Sequence, residues 1–501
     1  MHPQCKVVFY LQSMKKAILT SILVIFAMAL FAQGSDDACR FAQTYYQGTA
    51  KALGMGNALG AVGGDMTAIC INPAGMGLYR SGELTMTLNL SDNHNTSSYY
   101  GDNASGNRFR ISIPNLGFVS AKQRSNYKPL RYTQFCIGLT RTNDYNIHAF
   151  ASGLNPSSSM IDSYLNQIDG YAVNELSEYF PYTVYPAWST YLVDVDGQGY
   201  YTSPVPQGGI TQSLDQAFKG RSEEWTFGYS ANYFDRLFLG VSMGINHIKR
   251  IGSTTFVETL PTDSYNNTDF RNWTFEQDFS SRGLGVNGKV GMIWMATPWL
   301  RLGATYHTRT IYTFEESWQT QTESQLQENS LITRKYLSPK SSYEYYFFSP
   351  RKWVGSMAFV VSDQWMISMD AEMVNFGSAK FTSSSDDYYD YSSVNQDIKE
   401  SYCRTFNFRL GTEWRINDSY LRLGAGYYGS PFGLGERNGS IKKASVGISL
   451  PIGQYSTFDV AYELTHGYRQ YFLYDAGELD IEPVTQHQLR HVAIATLKVK
   501  L

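Results

Sequence analysis

The sequence predicts an all-β fold, a transmembrane antiparallel β-barrel of about fourteen strands with an N-terminal hatch in its lumen. Only 17% of the 501 residues are charged and 15% are aromatic, whereas soluble domains carry about 25% charged residues. From residue 82 onward, segments of about ten residues alternate apolar and polar positions. The connections between them alternate between long and short, which is typical of barrels that cross an outer membrane.

The first 32 residues have the pattern of a secretion signal. Basic residues at Lys15 and Lys16 precede an apolar run from Ala17 to Leu30, and Ala32 provides a small residue for cleavage. The run is short for a membrane-spanning helix. We therefore assign residues 1–32 to upstream residues plus a signal peptide, with the mature chain starting near residue 33.

The next segment, residues 33–81, is predicted to be the hatch. Between Gly48 and Arg80 it contains eight glycines and many alanines, which allow the backbone to pack closely against barrel walls. Asn72, Pro73 and Ala74 form a turn signal, because proline fixes its own φ and restricts the preceding residue. Two other interpretations are a glycine-rich surface loop and a dinucleotide-binding loop, but no strand precedes the glycines as the latter requires.

The sequence around these residues resembles the FadL/TodX family of outer-membrane transporters for hydrophobic compounds, whose relatives are often labelled haemin receptors. Asn72, Pro73 and Ala74 match the family's tripeptide, and the segments beginning at Pro350, Phe408 and Ser445 look like its C-terminal strand pairs. The resemblance implies a hatch that plugs a fourteen-stranded barrel spanning residues 82–501. It also implies that the hatch moves, with its hinges at Gly54, Gly56, Gly60, Gly63 and Gly64.

The strands themselves are assigned from the period-two alternation. An even number of strands returns the C-terminus to the side of the hatch, so both mature termini are expected in the periplasm. Residues Phe458, Val460 and Tyr462 are expected to face lipid, and Asp459 and Glu463 the lumen. The predicted strands are 82–90, 108–120, 131–142, 224–234, 236–249, 282–296, 298–312, 351–361, 364–377, 403–416, 419–428, 440–450, 456–466 and 488–500.

The longest predicted outer loop is 143–223, a departure from the better-known members of the family. Within it, Met160, Ile161, Tyr164 and Ile168 recur at helical spacing, which predicts a short amphipathic helix. Such a helix would either capture ligand at the barrel mouth or pack against neighbouring loops.

Charged residues on the predicted lumen face are expected to pair with one another for the most part. An arginine left unpaired would suit the carboxylate of an amphipathic ligand, because its guanidinium donates two parallel hydrogen bonds. Arg301, Arg309 and Arg409 are the predicted ligand-binding residues.

Cys39 and Cys70 both lie in the hatch segment and could form a disulfide in an oxidising envelope, or remain buried free thiols. We predict no catalytic residue, because no serine can be singled out together with a base and an orienting group. No metal site is predicted, because no two cysteines stand at metal-binding spacing, and no cofactor is predicted, because transport down a gradient requires no nucleotide. A net charge of -3 without a basic block argues against nucleic acid as a partner.

The expected function is uptake of hydrophobic small molecules such as long-chain fatty acids by diffusion past the movable hatch. The expected location is the outer membrane of a Gram-negative bacterium, with membrane lipid, lipopolysaccharide and the barrel-assembly machinery as further partners. Two alternatives stay open. One is a haemin-binding receptor with a histidine or tyrosine as axial ligand, and the other is a barrel that anchors or shuttles secreted proteins through tyrosine-rich outer loops.

Overall fold

The computed structural model describes residues 34–264, 268–327, 330–384, 389–433, 438–475, 477 and 479–501. The predicted signal peptide, residues 1–32, lies outside these ranges. None of the helices within them is both long and apolar enough to cross a membrane.

Fourteen antiparallel strands form a closed barrel, as predicted, and each neighbours the next in chain order. The first strand closes the barrel by pairing with the last, from Glu83 opposite Lys500 to Ser98 opposite Thr485. The wall strands are β1 (Glu83–Tyr99), β2 (Asp102–Gln123), β3 (Leu130–Asp144), β4 (Ile210–Tyr233), β5 (Leu237–Thr259), β6 (Phe270–Met295), β7 (Leu300–His307), β8 (Lys352–Ser362), β9 (Trp365–Asn375), β10 (Arg404–Ile416), β11 (Ser419–Tyr428), β12 (Ile441–Ile452), β13 (Ser456–Tyr471) and β14 (Val484–Lys500).

The alternation along each wall strand separates an apolar exterior from a polar interior. On β13, Val460 and Tyr462 are exposed, whereas Asp459 and Glu463 are buried, as the sequence predicts. The same pattern on the other strands gives the barrel an exposed apolar band, as a lipid-facing surface requires.

The predicted connection between the first two strands, residues 91–107, is wrong. β1 and β2 continue through this region and meet at a tight turn, where Gly101 has a φ of +85°. The alternation of small polar residues here suits a wall that extends beyond the apolar band, because both faces contact polar surroundings.

The N-terminal segment, residues 34–80, contains three short helices: α1 (Ser35–Ala42), α2 (Ala50–Gly54) and α3 (Ala68–Ile71). A 3-10 helix, Pro73–Leu78, follows Asn72 and leads to β1.

Above β7 to β9 the wall continues in further strands. They are Ile311–Gln327, which pairs with β6, then Leu331–Leu337, Ser341–Phe348 and Lys380–Ser383. Phe376–Ser378 forms a 3-10 helix, and the helix Ser392–Ser401 follows the last of these strands.

The long insertion between β3 and β4 folds into an outer cap. It contains the strand Ile147–Asn155, which pairs with β4, and a small sheet of Asp194–Val195 with Tyr201–Thr202. Its helices are α4 (Met160–Ile168), α5 (Leu176–Tyr179) and α6 (Val184–Ser189), and the remaining helix of the chain's described part is α7 (Ser392–Ser401). Two further 3-10 helices are Val173–Glu175 and Thr262–Ser264.

The predicted amphipathic helix is present as α4, which spans the apolar stripe from Met160 to Ile168. Ile161, Tyr164 and Ile168 are buried in the core of the cap against Trp273 of β6, so the apolar stripe packs against neighbouring segments. Glu258 of β5 holds this cap together. It accepts hydrogen bonds from Ser159 Oγ, the Met160 amide, Gln212 Nε2 and Trp273 Nε1 at 2.6 to 2.8 Å.

Candidate functional site: the lumen and an opening in the wall

The N-terminal segment lies against the inward face of the wall, and glycines on the wall make this contact possible. A Cβ atom built on any of these glycines would meet the segment at 3.1 Å or less. Where the contact is with backbone, as at Gly240, Gly303, Gly411 and Gly424, a larger side chain requires the segment to move, whereas at Gly117, Gly138 and Gly228 a flexible methionine side chain could shift instead. The wall glycines and their contacts are Gly117 and Gly138 with Met66, Gly228 with Met76, Gly240 with Pro73, Gly291 with Asn72, Gly303 with Gly60, Gly411 with Met55, Gly424 with Gly56 and Gly447 with Gly54.

The five predicted hinge glycines have two kinds of environment. Gly56, Gly63 and Gly64 have φ values of +58°, +61° and +61°, a region that disfavours other residues. Gly54 and Gly60 lie against the wall, where an added Cβ would be 3.0 Å from Gly447 Cα and 2.0 Å from Ser356 Oγ. Close contact and backbone conformation account for these glycines; their role as hinges stays a prediction.

The Asn72–Pro73–Ala74 turn joins two parts of the segment to the wall. Asn72 Oδ1 accepts a hydrogen bond from the Ala74 amide at 3.1 Å, which fixes the turn locally. Its Nδ2 donates to the carbonyls of Gly60 at 2.7 Å and of Met292 on β6 at 3.2 Å. The turn is thus held by its own side chain and by the wall.

A buried ion network also fastens the segment. Asp65, 0% exposed, accepts hydrogen bonds from Thr49 Oγ1 and the Thr67 amide and forms a 3.0 Å ion pair with Lys498 of β14. Lys498 pairs with Asp459 of β13 at the same distance. Burial alone would raise the pKa of Asp65, but the neighbouring Lys498 outweighs it and holds that pKa below its usual value.

The structure does not bring the three predicted ligand arginines together. Arg409 is 2% exposed and forms ion pairs with Asp370 at 3.6 Å and Glu372 at 3.3 Å. Arg301 stands near the start of β7, and Arg309 in the break that follows β7. None of the three lines the cavity described next.

Aromatic side chains fill the lumen above the segment's ion network. Phe41 of α1 stacks on Phe314 with ring centroids 4.6 Å apart and contacts the edge of Tyr145 at 6.3 Å. We call this group, which shares one buried cluster with α1 and α7, the aromatic cluster. Its ring residues are Phe41, Tyr145, Tyr312, Phe314, Tyr345, Phe347, Phe376, Phe381, Tyr391 and Tyr402.

A cavity of about 200 Å³, here called the basic cavity, adjoins the aromatic cluster. It lies between α1, the bend after β3 and the upper ends of β5, β13 and β14. Tyr145 belongs to both the cavity lining and the cluster. The charged residues that line the cavity are Arg40, Asp144, Arg250, Lys443, Arg469 and Arg490.

Some of these cations have acidic partners and others have none. Arg490 pairs with Asp144 at 2.9 Å, Lys443 with Glu463 at 2.8 Å, and Arg40 with Asp37. No carboxylate of the described residues lies within ion-pairing distance of Arg250 or Arg469. The pKa of Arg40 is lowered to about 9, by burial first and then by the positive charges of Arg250 and Arg469.

The barrel wall is incomplete beside this cavity. β2 and β3 pair only from Asn115 opposite Thr140 to Gln123 opposite Tyr132. Above Asn115, β2 pairs with β1 alone, because the chain after β3 bends inward. Inward-facing side chains of β1 fix the bend: Asn93 Nδ2 donates to the Asn146 carbonyl at 3.0 Å, and Asn95 Nδ2 to the His148 carbonyl at 2.9 Å.

Polar side chains cross this opening, which we call the β2–β3 opening. Arg141 of β3 donates to Ser112 Oγ of β2 at 2.7 Å and pairs with Glu223 of β4 at 2.9 Å. Arg110 of β2 lies 3.6 Å from Asp144, which also lines the basic cavity. Unpaired strand edges are costly in lipid, so such an opening needs polar groups or ligand to cover it.

The cysteines do not form the proposed disulfide. All four in the described residues are free thiols. Cys39 lies in the aromatic cluster, whereas Cys70 contacts Thr226 Oγ1 at 3.5 Å in a different part of the lumen. Cys39 and Cys70 therefore lie in different parts of the lumen, although both belong to the same N-terminal segment.

Sequence reasoning missed Arg40, Arg250 and Arg469 as lumen residues. The predicted strand 236–249 ends one residue before Arg250, and the predicted strand 456–466 ends three before Arg469. Continuing the alternation would have placed both inside, Arg250 with Ile248 and Arg469 with Glu463. Arg40 falls within the predicted hatch segment, but no motif or periodicity around it indicates a ligand-binding role.

These features define a class of protein: a fourteen-stranded barrel with an apolar exterior, a lumen occupied by its N-terminal segment, and an opening in its wall. No family model and no curated protein matches the sequence.

Solved structures share the fold. The toluene transporter TodX of Pseudomonas putida is 13% identical, with a TM-score of 0.53 over 92% of this chain and 99% of that chain. A FadL homologue of Pseudomonas aeruginosa is 11% identical, with a TM-score of 0.55 over 91% and 99% of the two chains. A deltaS2 mutant of TodX, described as a monoaromatic hydrocarbon channel, is 13% identical, with a TM-score of 0.55 over 90% and 98%. The chain therefore has the TodX and FadL fold, although the sequences have diverged widely.

Proposed function

We propose that this protein is a channel of the Gram-negative outer membrane that carries hydrophobic small molecules, such as long-chain fatty acids, into the cell. The observation that carries the proposal is the β2–β3 opening, where backbone pairing between the two strands stops near the basic cavity. The structural neighbours named as a toluene transporter and a hydrocarbon channel support it.

The route that fits these contacts begins at the outer cap and passes the aromatic cluster. A hydrophobic molecule gains by moving along aromatic side chains instead of a water-filled pore. It then leaves through the β2–β3 opening once the polar bridge from Arg141 to Ser112 and Glu223 separates. Breaking this bridge is less demanding than moving the N-terminal segment, whose close wall contacts and buried Asp65–Lys498 pair would all be lost.

In this arrangement the two ends of the barrel wall, including the C-terminus, are on the periplasmic side, whereas α1 at the start of the described chain packs against α7 at the outer end of the lumen. The start of β1 and the end of β14 lie side by side, so the two ends of the barrel chain share one face. The outer cap is then on the cell surface.

The test is uptake of a labelled long-chain fatty acid, with labelled haemin in parallel, by cells that lack the protein and by cells in which it is restored. Restoration should rescue fatty-acid uptake. Rescue of haemin alone, or of neither compound, would contradict the proposal.

A pair of variants tests the route. Ser112→Trp fills the β2–β3 opening and should abolish the restored uptake. Ser120→Trp adds the same ring on the same strand, where β2 and β3 are paired, and should leave uptake intact. Equal uptake by the two variants would argue against exit through this opening.

A further inference from the structure

We propose that the basic cavity binds a ligand head group with two negative charges, a phosphate monoester or a pair of carboxylates, whose apolar tail lies along the aromatic cluster. This inference rests on the proposed function and narrows the class of molecule that the channel accepts.

The clearest evidence that the cavity can hold a ligand is the buried side chain of Arg250. Its residue is only 9% exposed, and its guanidinium carbon lies 3.7 Å from the ring centroid of Phe218 and 5.0 Å from that of Phe279. The two rings hold the guanidinium in place through its faces. Its N–H groups have no hydrogen-bond acceptor among the described residues. A buried guanidinium without an acceptor is unfavourable, so a ligand that supplies oxygen atoms would be bound strongly.

Arg469 adds a second charge of the same kind. It stands on the inward face of β13 with its guanidinium carbon 5.2 Å from the ring centroid of Tyr471, and it too has no carboxylate partner. Glu316 also acts on Arg250 electrostatically and offsets part of its positive charge.

The charge balance favours two negative charges over one. Arg40, Lys443 and Arg490 each form an ion pair with an acid, which leaves Arg250 and Arg469 as the two cations of the cavity without an ion-pair partner among the described residues. A phosphate monoester carries about -1.5 to -2 charges at pH 7 and three acceptor oxygens, whereas a single carboxylate carries one charge. The lumen cations Lys289, Arg409 and Arg422 provide a contrast, because each is paired with its own glutamate or aspartate.

The surroundings require an amphipathic ligand. Arg40 precedes Phe41, whose ring belongs to the aromatic cluster, and Tyr145 lines the cavity while packing against Phe41. A head group held by the arginines would therefore place its tail among aromatic rings, where burial of each methylene is favourable.

The experiment measures binding to the full-length protein in a non-ionic detergent by titration calorimetry. The probes share a dodecyl chain and differ in head group: dodecyl phosphate, dodecylmalonate, dodecanoate and dodecanol. We expect dodecyl phosphate and dodecylmalonate to bind about tenfold or more tightly than dodecanoate, because each added charge-assisted hydrogen bond changes the affinity by about that factor. Dodecanol, which has no charge, should bind most weakly. A difference between dodecyl phosphate and dodecylmalonate identifies the source of the double charge.

Variants assign the effect to residues. Arg250→Gln and Arg469→Gln should each weaken dodecyl phosphate binding about tenfold or more and leave dodecanol binding unchanged. Arg250→Lys keeps the charge but not the two-pronged donor, so it should fall between Arg250→Gln and the unchanged protein. Arg404→Gln removes an exposed arginine of β10 and serves as the matched control. A gel-mobility comparison of unheated and heated samples verifies that each variant is folded.

Two results would overturn the inference: dodecanoate binding as tightly as both doubly charged probes, or Arg250→Gln leaving dodecyl phosphate binding unchanged. Either result is compatible with rescue of fatty-acid uptake, in which case the proposed function stands. Loss of uptake rescue instead refutes the function itself.

Discussion

Substitution of the wall glycine Gly240 by alanine tests whether the N-terminal segment is fixed against the wall. A Cβ at this position would stand 2.3 Å from Pro73 C, 2.4 Å from the Ala74 nitrogen and 2.5 Å from the Pro73 oxygen. Ordinary contacts begin at 3.4 Å, so the turn would have to retreat by about 1 Å. The atoms in the way are backbone, which cannot yield by rotating a side chain.

The size of the effect follows from this overlap. Adding atoms to a well-packed interior costs about 1 to 3 kcal/mol, and the turn also holds the Asn72 hydrogen bonds to Gly60 and Met292. We expect Gly240→Ala to lower the free energy of unfolding by an amount in this range. Thermal unfolding in detergent measures it, and limited proteolysis measures release of the segment.

A matched control separates this clash from a general effect of alanine in the wall. Gly355 of β8 is also a wall glycine, but a Cβ there meets no atom within 4 Å. Gly355→Ala should therefore leave stability and protease resistance unchanged. If Gly240→Ala behaves like Gly355→Ala in both assays, the close contact between wall and segment does not exist in solution.

Three further predictions concern the remaining supports of the fold. Lys498→Met leaves Asp65 as an unpaired buried charge and should destabilise the protein by about 3 to 5 kcal/mol in chemical unfolding, whereas a loss below about 1 kcal/mol would refute the pair's role. Because the pKa of Asp65 is lowered in the folded state, the ionised carboxylate contributes its full share to the free energy of unfolding at pH values above the usual aspartate range. That contribution should be lost as the pH falls through the lowered pKa. The free energy of unfolding of a Lys498→Met protein should depend less on pH in this acid range. Glu258→Ala removes the acceptor of four hydrogen bonds and should expose the cap, residues 145–209, to protease while leaving the barrel's heat-dependent gel mobility intact; equal resistance would contradict this.

Much of the barrel could be predicted from local pattern. Each of the fourteen predicted strands coincides with one wall strand, because the alternation of lipid-facing and lumen-facing residues is a property of neighbouring positions in one strand. The Asn72–Pro73–Ala74 turn was predictable for the same reason: proline and the asparagine side chain act on adjacent backbone. The strand ends were less predictable, since β1 and β2 continue above the apolar band, where no change of polarity marks a boundary.

The partners of individual charges could not be predicted in this way. Arg409 was a reasonable candidate for a free cation, yet Asp370 and Glu372 on the neighbouring strand neutralise it. Arg250 and Arg469 were passed over, although among the described residues they are the two cations of the basic cavity that lack a carboxylate partner. Whether a charge is free depends on which strands lie beside it and on their register, and register is a relation between distant segments.

By itself, the sequence determined the fold class, the number of wall strands and which of their side chains face outward. Each depends on local periodicity and on the cost of placing polar groups in lipid. Only the tertiary structure decided where the wall opens, which wall glycines admit the N-terminal segment, and which arginines share a cavity. These depend on contacts between residues hundreds of positions apart, such as Gly54 with Gly447, which exist only once the barrel has closed.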